Sequence, residues 1–238
     1  MQRKRSVSNL SRGELIGGSI FFVLYAAVLP FAAAPMFRIA ELLLGVSLSS
    51  ALEDALYYYI LLAMTVIIFH GFLARTSSRL LDNLNDAVKT LGLGLVALYG
   101  LNELVFRLMR FVTGGRRPLF ANLNDTAIST QISGRPYTTL FIVLLLIPFV
   151  EETLFRGLIF GGLREKSRGI AYLASCVLFA LLHVWQFAAG WDPSCLLMAV
   201  QFLVPGLVLA WAYENSGTLW ASVAIHAAAN ALSVWLTV

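Results

Sequence analysis

The chain has 238 residues, 59% of them hydrophobic and only 13% charged, with a mean hydropathy of +0.79. That composition lies outside the range of water-soluble globular domains and predicts an integral membrane protein whose first partner is the lipid bilayer. The formal net charge is +4, but its 17 basic residues scatter among loop ends instead of lining one face, so no nucleic-acid partner is expected.

Apolar runs long enough to cross a hydrocarbon core of roughly 30 Å fall at Ile16–Ala34, Tyr57–Leu73, Leu91–Met109, Thr138–Gly162, Ile170–Ala189, Leu196–Tyr213 and Thr218–Val238. They predict an all-α fold, a polytopic membrane helix bundle of seven or at most eight transmembrane helices. The first run follows Arg3, Lys4, Arg5 and Arg12, yet it is too long for the core of a signal peptide and further spans follow it. It reads as an uncleaved first helix. Cys176 in the fifth run and Cys195 in the loop after it define neither a disulfide framework nor a metal cluster.

Basic residues set the orientation. Arg3, Lys4, Arg5 and Arg12 precede the first run, Arg75, Arg79 and Lys89 lie between the second and third, and Arg164, Lys166 and Arg168 follow the fourth. The positive-inside rule puts all three groups, and the N-terminus, in the cytoplasm, in what is expected to be a bacterial plasma membrane. Arg107, Arg110, Arg116, Arg117 and Arg135 disagree, because they fall on the external side of that count. A re-entrant segment or a long, charge-tolerant loop would each account for them.

The stretch 113–137, rich in Gly, Pro, Asn, Ser and Thr, divides the chain into an N-terminal three-helix region, 1–112, and a C-terminal core, 138–238. In the first region His70 reads as an interfacial or packing histidine, and Glu103 with Arg107 as an ion pair four residues apart. Trp185, Trp191, Trp211, Trp220 and Trp235 fall near helix ends, where amphipathic rings anchor to the headgroups.

The second region holds charge in the wrong place for packing alone. Glu151 and Glu152 are adjacent within an apolar run, where a charge is costly unless it is paired or put to use. Arg156 follows Glu152 by four residues and can pair with it, while Glu151 is turned by about 100° toward another environment. Pro148 removes a backbone hydrogen bond just ahead of the pair. From the cytoplasmic end, Glu151 lies roughly 15–20 Å deep, His183 about 20 Å and His226 about 12–15 Å. Phe179 and His183 share a face of one helix, and His226 and Asn230 share a face of another. Matched depth on three helices points to one polar site.

The ordered motifs Glu-Glu-x-x-x-Arg (Glu151, Glu152, Arg156), Phe-x-x-x-His (Phe179, His183) and His-x-x-x-Asn (His226, Asn230) resemble those of the CAAX prenyl protease and bacteriocin-processing (CPBP, or Abi) intramembrane proteases. The resemblance covers about the last hundred residues; the first three helices carry no matching motif. It implies an intramembrane endopeptidase acting on a peptide or membrane-protein substrate, with Glu151 as general base, His183 helping to hold the attacking water, and His226 and Asn230 stabilising the oxyanion. Glu152, Arg156 and Phe179 would then support the site. No cofactor is favoured, but zinc on Glu151, His183 and His226 stays open as an alternative. Two other functions also fit: a bacteriocin self-immunity or scaffold protein on the same fold, and a proton-coupled transporter, which would call for repeats or paired broken helices that the sequence does not display.

Overall fold

The computed structural model describes residues 10–112, 114, 136–184 and 194–237. Among the described residues the chain is helical, with no strand, and it forms seven helical units: α1 Arg12–Leu44, α2 Ser50–Asp82, α3 Leu84–Val112, α4 Tyr137–Arg164, α5 Arg168–Val184, α6 Ser194–Ser216 and α7 Leu219–Thr237. The first four are long and apolar enough to cross a membrane. The protein is therefore an all-α membrane helix bundle.

α1 and α2 extend well past the apolar runs that announced them, because caps end a helix and hydropathy does not see caps. Ser11 Oγ accepts the Glu14 N–H at 3.2 Å while the Glu14 carboxylate accepts the Ser11 N–H at 2.6 Å, a reciprocal cap that starts α1. Gly45, at φ +64°, closes its other end in the left-handed conformation. Cys195 falls in the first turn of α6 and not in a preceding loop. Trp185, Trp191, Arg116, Arg117, Arg135 and the N-terminal basic residues Arg3, Lys4 and Arg5 lie outside the described residues, as does most of the 113–137 stretch.

α4 is the axle of the bundle. Of its most apolar window 61% is buried, against at most 22% for the corresponding windows of α1, α2 and α3. Val150, Leu154, Leu158 and Phe160 pack with Phe21 of α1, with Leu61, Phe69 and Phe72 of α2, and with Tyr213 of α6. On another side, Phe155 packs with Leu98 of α3, Phe179 of α5, Leu209 of α6 and Ile225 of α7. The two halves divided by the polar stretch thus share their buried clusters.

Prolines interrupt α1 and α4 in the same way. In α1 the turn Leu24–Val28 widens to a π-turn and the Leu29 N–H returns to Leu24 O; in α4 the turn Ile142–Leu146 does likewise, and the Ile147 N–H returns to Ile142 O. Each π-turn is followed, one residue further on, by a proline that has no N–H to give: Pro30 and Pro148. A second π-helical stretch, Thr153–Phe160, follows the glutamate pair.

α2 bends at Phe69, whose φ of −105° and ψ of 16° are not helical. The turn after the bend exposes the Phe72 N–H, which donates to Glu14 Oε1 at 2.5 Å, while Arg75 Nη2 donates to Glu14 Oε2 at 2.7 Å. One buried carboxylate therefore caps α1 and also the second half of α2. Gly71 leaves room for it, since a Cβ there would stand 2.9 Å from Glu14 Oε1. His70 beside it is exposed, its Nδ1 on Ile67 O of its own helix at 3.1 Å. At the far end of α3, Arg107 pairs with Glu103 at 2.6 Å.

The ends carrying Arg12, Arg75, Arg164 and Arg168 gather at one end of the bundle. Glu214 of α6 joins Arg164 of α4 at 2.5 Å and Arg168 of α5 at 2.9 Å. Thr76 of α2 caps α7, its Oγ1 accepting the Leu219 N–H at 2.7 Å, and the Trp220 indole donates to Ser77 Oγ at 3.0 Å. Trp220 is thus a packing residue between α2 and α7 more than a headgroup anchor, whereas Trp235 is exposed as an anchor should be.

Replacing Glu14 by Ala should lower stability by about 1.5–3 kcal/mol, because charge-assisted bonds to the Phe72 N–H and Arg75 are lost together. Thermal unfolding of the detergent-solubilised protein reads this directly. An unchanged melting temperature would mean that Glu14 does not clamp α1 to α2.

Candidate active site

Each glutamate of the pair faces a different surrounding, as adjacent helical positions must. Glu152 turns to α5, α6 and α7 and is fully buried with Arg156, Nη1 to Oε1 at 3.0 Å. Arg156 Nη2 donates to Gly206 O of α6 at 3.2 Å, and its guanidinium lies 4.4 Å above the ring of Phe179. Gly206 lets α6 lie close against α5, since a Cβ there would meet the Cys176 backbone at 3.0 Å. The side chain of Phe179 thus sits under Arg156, and the same ring touches His183 at 4.3 Å and His226 at 5.8 Å between centroids.

Glu151 turns the other way, toward α1. Its Oε1 accepts the Tyr25 hydroxyl at 2.9 Å. Its Oε2 is buried and makes no hydrogen bond among the described residues, and it stands 3.7 Å from His183 Nε2 and 4.0 Å from His226 Nε2. Both separations exceed a direct hydrogen bond.

The histidine tautomers follow from their other nitrogens. His183 Nδ1 lies 2.8 Å from Phe179 O, and a carbonyl can only accept, so the hydrogen is on Nδ1. His183 Nε2 in the neutral ring is then a lone pair aimed at the Glu151 side. His226 Nδ1 lies 2.9 Å from Glu152 Oε1, a carboxylate held ionised by Arg156, so it too carries its hydrogen there. A hydrogen on His226 Nε2 exists only in the imidazolium. His183 is further fixed by stacking on Phe202 of α6, 4.6 Å between ring centroids.

Asn230 is one turn along α7 from His226, and its placement traces back to Pro148. The carbonyl of Val143 would ordinarily pair with the N–H of Ile147, which goes to Ile142, or of residue 148, which as proline has none. Asn230 Nδ2 donates to this carbonyl at 2.9 Å. The structure thus brings Glu151, His183 and His226 together around one carboxylate oxygen, and Asn230, one turn further along α7, has an amide hydrogen committed to Val143 O of α4.

Sequence reasoning missed Tyr25. It lies in the first apolar run, in no motif, and the only signal near it was Pro30. As placed, no group of three or more His, Cys, Asp or Glu among the described residues closes around a metal. Elsewhere, a groove of about 800 Å³ lies between α3, α5 and α6, lined by Leu93, Leu101, Tyr172, Leu207 and Trp211 among others, and none of the residues of the glutamate site lines it.

Residues 133–232, which hold all of the motif residues, match the family model for type II CAAX prenyl endopeptidase Rce1-like proteins. Over that segment the chain is similar to Rce1-like proteins, in agreement with the resemblance carried by its motifs. It is 29% identical over 108 residues to UPF0177 protein YxdF of Lactococcus lactis subsp. lactis (strain IL1403), a match covering 45% of this chain and 55% of that protein. The chain thus spans about half the length of this curated relative. No solved structure matches.

Arg156→Met should destabilise the protein by roughly 3–5 kcal/mol, since it leaves the buried Glu152 charge without its main partner. Thermal unfolding in detergent checks this, and an unchanged melting temperature would mean that the pair does not hold the site's frame.

Proposed function

We propose that the protein is an intramembrane endopeptidase in which Glu151 and His183 activate water and His226 and Asn230 stabilise the oxyanion. The observation that carries the proposal is Glu151 Oε2, a buried carboxylate oxygen with no hydrogen bond among the described residues, facing two imidazole nitrogens. A water there donates one hydrogen to Oε2 and the other to the lone pair of His183 Nε2. Its oxygen attacks the peptide carbonyl carbon as Oε2 takes the proton, and the same proton then passes to the amine as the C–N bond breaks. The oxyanion formed in between meets His226. Because the Nδ1 hydrogen is committed to Glu152, His226 donates from Nε2 as an imidazolium, and Asn230 adds the amide hydrogen not spent on Val143 O.

Zinc is the competing reading. It would be held by Glu151, His183 and His226, the histidines fixed through Nδ1 as metal-binding histidines usually are, and it would polarise the carbonyl and acidify a bound water. Against it, the nitrogen-to-oxygen separations of 3.7 and 4.0 Å are wider than the roughly 3.3 Å that tetrahedral zinc with bonds near 2.0–2.1 Å sets between two ligands. That spacing favours the metal-free mechanism.

Segment 138–238 is the catalytic core on this reading, 1–112 packs against it, and 113–137 links them. The N-terminus lies in the cytoplasm of a bacterial plasma membrane and the substrate is a peptide or a membrane protein. A role in bacteriocin self-immunity is compatible with the same chemistry.

The test uses purified protein in detergent and a pooled library of internally quenched apolar octapeptides, with farnesylated Cys-aliphatic-aliphatic-X peptides as a second set. The wild-type protein should cleave members of at least one set, Glu151→Gln should lose at least about a thousandfold in rate, and exhaustive chelation should leave the rate unchanged. Stoichiometric zinc, with activity lost on its removal and restored on its return, would establish the metal mechanism instead. For topology, a cysteine at position 166 in a chain with Cys176 and Cys195 replaced by Ser should react with an impermeant maleimide only after the cell is opened. Labelling of intact cells would invert the orientation.

A further inference from the structure

A family match confined to residues 133–232 leaves α1 outside the matched segment, yet α1 reaches the glutamate that the proposed mechanism makes the base. The contact is specific. The Tyr25 hydroxyl lies 2.9 Å from Glu151 Oε1, while the Oε2 of the same carboxylate is the oxygen near the two histidines. Since ionised carboxylate oxygens only accept, Tyr25 is the donor.

The local backbone sets this reach. Tyr25 is the second residue of the π-turn Leu24–Val28, the turn that ends where Pro30 withholds its N–H. A π-turn inserts one residue into the helical register, so side chains on either side of it are offset by about 100° from where an unbroken α-helix would put them. On α4 the π-turn ahead of Pro148 precedes Glu151. The two interrupted helices therefore meet at one hydrogen bond, with Phe22 of α1 packed edge-on against Phe155 of α4, 5.6 Å between centroids, beside it.

We infer that Tyr25 is a positioning residue for the hydrolytic site: by occupying Glu151 Oε1 it fixes the rotation of the carboxylate and leaves Oε2 as the single oxygen that takes the proton from water. This rests on the reading of Glu151 as the base. Without the hydroxyl the carboxylate turns about its terminal torsion, which is broad and intrinsically soft, and the aim of Oε2 between His183 and His226 is lost. Because Tyr25 acts through the Glu151 carboxylate, its removal affects the rate of the chemical step and not substrate binding.

Tyr25→Phe keeps the ring and deletes the donor. With the library octapeptide that the wild-type protein cleaves fastest, kcat should fall by about 10–100-fold, the size expected for one hydrogen bond to a charged group, while KM stays within error and the protein remains folded at the assay temperature. Difference infrared spectroscopy supplies a readout that needs no turnover: the carboxylate band identified as that of Glu151 by its absence in Glu151→Gln should shift in Tyr25→Phe. An unchanged kcat, a loss that falls in KM or that is accounted for by protein unfolded at the assay temperature, or a band that does not move would overturn the inference. If Glu151→Gln itself cleaves at the wild-type rate, the base assignment fails instead, and the infrared shift still reports whether Tyr25 holds the carboxylate.

Discussion

A carboxylate and a guanidinium with no exposure at all sit side by side on the most buried helix of a membrane protein. Desolvating two such charges costs more than their mutual attraction returns unless the remaining donors and acceptors are also met. Part of the surrounding structure meets them, while Glu152 Oε2 and Arg156 Nε make no hydrogen bond among the described residues. The Gly206 carbonyl of α6 accepts from Arg156, the ring of Phe179 lies under the guanidinium, and His226 donates to the carboxylate oxygen that Arg156 also holds. Four helices are tied to one ion pair. The geometry of Glu151 follows from the turn of about 100° between adjacent helical positions: with Glu152 committed to Arg156 and His226 Nδ1, Glu151 reaches Tyr25 of α1 through Oε1 and faces His183 and His226 Nε2 through Oε2.

Proline does the complementary work. Pro30 and Pro148 each withhold a backbone donor, each is preceded by a π-turn, and each interruption lies beside a site residue: Tyr25 within one turn, Glu151 three residues after the other proline. The Val143 carbonyl left without an N–H partner is taken by Asn230, which ties α7 to α4 and sets the height of His226 against Glu151. Irregular backbone in a membrane is tolerated only where protein groups satisfy it. Here the satisfying group is one of the motif residues.

Seven helices were legible because hydrocarbon thickness sets a minimum apolar length, and each run of that length is helical in the structure over the residues described. Their ends were less so: Ser11, Glu14 and Gly45 carry α1 beyond its apolar run through caps that hydropathy ignores, although the Ser-x-x-Glu spacing was open to reading. The polar residues of α4, α5 and α7 could be grouped from depth and helical face alone. Tyr25 could not, since a tyrosine in an apolar helix has no periodicity that sets it apart, and a π-turn is a property of how a helix closes around a proline, not of residue type. The position of Asn230 on Val143 likewise needed the carbonyl freed by Pro148, which is visible only once the hydrogen bonds are traced.

On the proposed mechanism, a peptide is cut where Glu151 Oε2 faces His183 and His226. An electron cryomicroscopy structure of the Glu151→Gln protein with an uncleaved octapeptide tests it most directly. The scissile carbonyl carbon should lie beside the side chain at position 151, with its oxygen within hydrogen-bonding distance of His226 Nε2. A peptide seated in the groove between α3, α5 and α6, with none of its carbonyls near position 151, would contradict it.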